Sequence, residues 1–103
     1  MEVKKITLAE YDTEVLNSTT PVLIDFYADW CGPCKMMSPI VDMIAEENDD
    51  IKVFKVNVDE ESDLAEKFSV MSIPTLALVK DGKLVDKSVG AKQKSEVLKF
   101  IGK

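Results

Sequence analysis

Histidine and arginine are absent from this 103-residue chain, and each absence removes a class of chemistry. Without histidine there is no Ser-His or Cys-His catalytic pair and no mixed Cys/His zinc site. Without arginine the bidentate forks that recognise phosphate groups and bases are missing, and lysine alone supplies the 13 basic residues set against 19 acidic ones. The resulting net charge of −6 argues against a nucleic-acid partner, which needs a basic footprint. No apolar run approaches the ~18 residues of a membrane span, so no membrane partner is expected. The opening Met1-Glu2-Val3-Lys4-Lys5 lacks the apolar stretch of a signal peptide, and a cytoplasmic location is the expectation. Cysteine is scarce too, with only Cys31 and Cys34. Two thiolates cannot fill a tetrahedral zinc site alone, and they are too few for a disulfide framework.

Apolar residues make up 46% and charged residues 31%, the balance of a globular protein. The length suggests one domain over residues 1–103, able to bury roughly two-thirds of its surface. A strand is expected over Val3–Ile6. Thr7 with Glu10 forms a capping-box signal for a helix to about Asn17, with Leu8, Tyr11, Val15 and Leu16 on its apolar face. Val22 to Ala28 is a near-continuous apolar run, the pattern of a strand covered on both faces, with Asp25 as its exception. The helix after the cysteines has a broad stripe of Met36, Met37, Ile40, Val41, Met43 and Ile44, and Pro39 is expected to kink it. Asn48-Asp49-Asp50 ends it, placing acids at the negative end of the helix dipole. Ile51–Val58 reads as a strand with Lys55 as its odd charge. Asp59-Glu60-Glu61 then supplies a cap and first-turn acids for a short helix to about Phe68. Thr75–Lys80 and Lys83–Val89 flank Asp81-Gly82, a strong hairpin signal, and a last helix over about Lys92–Ile101 buries Val97, Leu98 and Ile101. The order predicts an α/β fold, a mixed sheet with helices on both faces.

The position of the two cysteines carries more than their spacing. They follow a buried strand and open a helix, where free backbone N–H groups and the dipole favour an anion and lower a thiol pKa. Side chains three apart on a helix are neighbours, within reach of a disulfide after local adjustment. Such a bond closes a four-residue loop and constrains the unfolded chain by only about 2 kcal/mol, which suits a reversible couple better than a staple. Asp25 is the second signal. A carboxylate inside an apolar strand is costly while charged, so its pKa should rise towards neutral. Lys55 in the next strand could offset that charge or extend its stem along the sheet edge. The five methionines read as packing residues rather than ligands, and no metal site is expected.

Trp30-Cys31-Gly32-Pro33-Cys34-Lys35 resembles the active-site motif of the thioredoxin family. So does its setting, with Ile24-Asp25-Phe26-Tyr27-Ala28 before it and Ile73-Pro74-Thr75, Asp81-Gly82 and Val89-Gly90 after it, and the element order matches over almost the whole chain. The resemblance implies a thioredoxin fold, a central five-stranded mixed sheet with four helices on both faces. It also implies a dithiol–disulfide oxidoreductase without a bound cofactor, acting as a monomer on disulfide-containing protein substrates and restored by a thioredoxin reductase. Cys31 would be the accessible attacking thiolate and Cys34 the shielded resolving thiol, with Asp25 taking the Cys34 proton directly or through one water. Gly32, Pro33 and Lys55 would tune the couple. Pro74 would ordinarily be trans, but the family has a cis proline beside the cysteines, leaving the Ile73 backbone open to an extended substrate. Trp30, Gly32, Pro33, Ile73, Pro74 and Gly90 would form a flat, mostly apolar docking patch. Two departures stand out: Tyr27, where many thioredoxins carry a second tryptophan, and the variable Met71-Ser72 stretch. Three rivals remain open at this level: an oxidase or isomerase on the same fold, a non-enzymatic interaction module using the apolar patch, and a metal site shared by two chains.

Overall fold

A computed structural model describes residues 3–103; Met1 and Glu2, counted in the expected domain, lie outside the described residues. The elements are β1 (Lys4–Lys5), α1 (Leu8–Tyr11), β2 (Val22–Tyr27), α2 (Gly32–Glu47), β3 (Lys52–Asn57), α3 (Ser62–Lys67), β4 (Thr75–Lys80), β5 (Lys83–Val89) and α4 (Lys94–Phe100). The strands form one sheet in the order β1-β3-β2-β4-β5. β3 runs parallel to β1 and β2, whereas β4 runs antiparallel to β2 and β5, so the sheet is mixed as expected.

Alternation along β2 builds two cores. Val22, Ile24 and Phe26 enter one core with Tyr11, Val15, Leu64 and Phe68, while Leu23 enters the other with Met37, Val41, Ile44, Val97 and Ile101. α1 and α3 therefore cover one face of the sheet, and α2 and α4 the other. This double cover is why the β2 sequence reads as an unbroken apolar run. It also places Asp25, on the same side as Leu23, beneath α2.

Two expected apolar stripes are narrower than the periodicity predicts. Tyr11 and Val15 are buried, but Leu8 and Leu16 are exposed. For Leu16 the reason is a change of period. α1 lasts one turn and continues as a π-helical turn over Asp12–Leu16, in which the Asn17 N–H reaches the Asp12 carbonyl at 3.0 Å. On α2 only Cys34, Met37, Val41 and Ile44 are buried; Ile40 is half-buried, and Met36 and Met43 are exposed. That is the narrow seam of alternating three- and four-residue spacings, not a broad face. The helix continues through Pro39, which lies on its exposed side.

The acids have partners that their local sequence does not show. Asn48 Nδ2 donates to the Ile44 carbonyl at 2.9 Å, occupying an orphan acceptor at the end of α2. Glu47 pairs with Lys94 at 2.6 Å, and Asp50 pairs with Lys103, so lysines from the C-terminal segment offset the acids at the negative helix end. Glu61 is the N-cap of α3, within the expected acidic run, but its side chain makes no capping bond there. Its carboxylate instead accepts the Leu8 N–H at 2.7 Å, capping α1, while Asn57 Oδ1 accepts the Asp59 and Glu60 N–H groups at 2.9 and 3.3 Å in the turn before α3. At Thr7 the Glu10 carboxylate accepts the backbone N–H at 3.0 Å, the helix-start contact the sequence implies. The β4–β5 hairpin has the expected bounds, turning through left-handed Asp81 (φ 52°) and Gly82 (φ 75°). A Cβ on Gly82 would lie 3.0 Å from the Leu16 carbonyl oxygen, so the turn needs glycine for space as well as for φ.

Candidate active site

β2 delivers the chain to the start of α2, and the two cysteines sit at that junction. Cys31 is the N-cap of α2, with Gly32 and Pro33 at its first two positions. Proline is tolerated there because the first helical N–H groups have no partner within the helix. One of those free donors, the Cys34 N–H, points at Cys31 Sγ at 3.2 Å, and the Lys35 N–H bonds to the Cys31 carbonyl at 3.2 Å. Cys31 and Cys34 are joined by a disulfide, with their Cα atoms 5.2 Å apart. They pack against Ala28, with Tyr27, Val58 and Ile73 around them. The expectation of one accessible and one shielded cysteine concerns the reduced protein, and the pair described here is disulfide-bonded. In this oxidised state Cys31 is 4% exposed and Cys34 3%. The asymmetry lies in the backbone: only Cys31 occupies the capping position.

Asp25 lies in β2 and is 3% exposed, and its Oδ1 has no hydrogen-bond partner among the described residues. Burial raises its pKa from 3.8 to about 7; Lys55 pulls the other way and Asp42 adds to the rise. The Lys55 influence follows from register, since Asp25 and Lys55 are paired across β2 and β3 while the β4 partner, Leu76, is apolar. The Lys55 ammonium also sits 5.5 Å from the Tyr27 ring centroid. A cavity of about 140 Å³ is lined by Asp25, Cys34, Ser38 and Lys55, with Tyr27, Ala28, Asp29 and Lys35 completing it. The buried carboxyl and the inner cysteine thus share one space, roomy enough for several waters at about 30 Å³ each.

The remaining candidates surround the disulfide. Trp30 is 71% exposed, and its indole N–H donates to Asp59 Oδ2 at 2.8 Å. Gly32 and Pro33 are exposed, and a Cβ on Gly32 would meet no atom within 4 Å. The Ile73–Pro74 peptide is cis. Ile73 is half-buried against the cysteines, and neither its N–H nor its carbonyl takes a backbone hydrogen bond among the described residues. Pro74 is buried, so its ring adds little to an exposed patch; its carbonyl instead accepts the Gly90 N–H at 2.8 Å. Gly90 has φ 95°, a conformation L-residues rarely adopt. Two contacts here were not foreseen from the sequence. Asp59, read as a helix cap, holds Trp30. Buried Met37, read only as packing, accepts the Lys92 N–H on Sδ at 3.1 Å and so ties α2 to the loop carrying Gly90. Partners 29 and 55 residues apart leave no local signal. Among the described residues no group of three or more acidic or cysteine side chains is placed to hold a metal ion, and no helix is long and apolar enough to cross a membrane.

Comparison with known proteins agrees with this geometry. The sequence family described as thioredoxin matches residues 2–103. The thioredoxin of Pyropia yezoensis is 46% identical over 104 aligned positions, covering 100% of this chain and 97% of that protein. Thioredoxin 1 of Synechococcus elongatus is 48% identical over 99 positions, covering 95% and 92%. The thioredoxin of Mycobacterium tuberculosis is 50% identical over 98 positions, covering 94% and 84%. The disulfide at the start of α2 is accordingly a redox-active pair, and the protein is a dithiol–disulfide oxidoreductase that reduces protein disulfides and is regenerated by a reductase. A mixed five-stranded sheet, a cysteine couple at a helix start and a match along nearly the whole sequence converge: the chain belongs to the thioredoxin family.

Proposed function

We propose that, in the reduced protein, Cys31 is the thiolate that attacks a substrate disulfide and Cys34 the thiol that resolves the mixed disulfide. The Cys34 N–H directed at Cys31 Sγ is the observation that carries this order. A backbone donor at a helix N-terminus stabilises a negative sulfur, and only Cys31 stands at the capping position. In the first step Cys31 forms a bond to one substrate sulfur, and the other leaves as a thiolate. In the second, Cys34 loses its proton to Asp25 through the shared cavity and attacks Cys31 Sγ. The substrate leaves with its second sulfur reduced, and the Cys31–Cys34 bond carries away the oxidation. An acid raised by burial to titrate near neutral pH suits this transfer, and Lys55 moderates that rise from the neighbouring strand.

Trp30, Gly32, Pro33, Ile73 and Gly90 form the docking patch in this reading, with Pro74 fixing the backbone beneath it. The unpaired Ile73 backbone offers an extended substrate one strand-like contact. Gly32 leaves open space beside the cysteine pair at the helix start, and Pro33 withholds a second N–H there, so both influence the potential. Residues 1–103 act as one domain and as a monomeric electron carrier, without nucleic acid, membrane or bound cofactor. A cytoplasmic site of action fits a protein whose task requires thiols kept reduced. The roles are separable by mutation. Cys34→Ser is expected to accumulate a mixed disulfide through Cys31, and Cys31→Ser to lose reductase activity. Equal turnover by both variants and the parent would refute the assignment.

A further inference from the structure

Building on the proposed role of Asp25, we infer that the Ser38 hydroxyl is a positioning group for the Cys34 proton, holding the water that joins Cys34 to Asp25. Ser38 stands four residues after Cys34 on α2, one turn along the same side of the helix. Ser38 lines the cavity shared by Asp25 and Cys34. It is half-buried, and its hydroxyl takes no hydrogen bond among the described residues, although a mid-helix serine often bonds back to the preceding turn. Across the same space Asp25 Oδ1 is buried and unpartnered. A water between them has a hydroxyl on one side and a carboxylate on the other, which orients it for transfer.

The other groups facing Asp25 do not supply this contact. Lys55, from β3, is a donor only, and Leu76, from β4, is apolar. Asp42, from α2, acts on Asp25 through its charge. Lys35, Asp29 and Tyr27 line the cavity with both charge signs, but only the serine is a neutral hydroxyl on the helix that carries Cys34. The step balances without a further reagent. The Cys34 proton passes to the water, the water gives a proton to Asp25, and the Cys34 thiolate breaks the Cys31–substrate bond. Ser38 keeps its own proton throughout.

A chromogenic aromatic disulfide tests this on the reduced full-length protein. The first thiol equivalent reports attack by Cys31 and the second reports resolution by Cys34, each followed from about pH 5.5 to about pH 9. Ser38→Ala is expected to leave the first phase unchanged and slow the second about fivefold at neutral pH, the effect of one lost hydrogen bond. Ser38→Thr, which keeps the hydroxyl, is expected to restore the rate, and melting should not fall in Ser38→Ala because alanine is the better helix former. Asp25→Asn is run beside them. A parental second phase in Ser38→Ala with a slow one in Asp25→Asn overturns the inference and leaves the Asp25 role standing. Parental second phases in both variants overturn the two together. Equal slowing in Ser38→Ala and Ser38→Thr points to packing and also overturns it.

Discussion

Replacing Asp25 with asparagine should stabilise the oxidised protein, by an amount that depends on pH in a defined direction. Asparagine keeps the shape of the protonated acid and removes only the charge. The Asp25 carboxyl titrates near 3.8 when exposed and at about 7 in the folded protein, where burial disfavours its anion. Between those values the folded state holds a proton that the unfolded state has released, so parental stability falls as pH rises through this window. Below it both states are protonated, and above it both are ionised. The window spans about three pH units, each worth about 1.4 kcal/mol, so the advantage of Asp25→Asn should grow from near zero at acid pH to about 4 kcal/mol above pH 8. For a domain of this size that is a rise in melting temperature of roughly 20 °C. Guanidinium unfolding of the disulfide-bonded forms at several pH values reads it, with cysteine titration removed by the Cys31–Cys34 bond. A variant-minus-parent difference that stays flat with pH, or grows towards acid, would show that Asp25 is not held protonated by burial.

Two further perturbations act on the loops around the disulfide. Gly90→Ala places a Cβ at φ 95° with only Lys92 Nζ nearby, at 3.9 Å, so the strain is in the backbone rather than in a clash. It should cost about 1–2 kcal/mol in thermal unfolding and raise KM for a protein disulfide; an unchanged melting temperature contradicts this. Pro33→Ser adds an N–H beside Cys31 Sγ, which favours the thiolate and hence the reduced form. The couple should become more oxidising by about 30–60 mV in a glutathione equilibration, and a shift in the opposite direction would rule out the added donor as the cause.

The readability of this fold follows from how local each determinant is. The β2 run, the Asp81-Gly82 turn and the bounds of β4 and β5 are properties of a few adjacent residues, and all are visible in the sequence. The cysteine motif is equally local, as is the misplaced charge of Asp25. The π-helical turn after Tyr11 is different, because a periodicity reading assumes a constant pitch and places Leu16 inward. The breadth of the α2 stripe fails for a related reason: methionine is apolar enough to extend any stripe, yet Met36 is exposed. Contacts between distant segments were the least legible. The Trp30–Asp59 and Met37–Lys92 bonds exist only once the sheet has brought their loops together, and Glu61 caps a helix from the opposite half of the chain.

The Gly90 N–H to Pro74 carbonyl bond has a consequence for the order in which the molecule is assembled. Both sulfurs lie on a segment that precedes β4, but the shelf beside them closes only when the β4–β5 ribbon pairs and brings residue 90 against Pro74. Until that ribbon pairs, the thiols lack the proposed docking surface, so competence for selective electron delivery waits on that pairing rather than on the cysteines themselves.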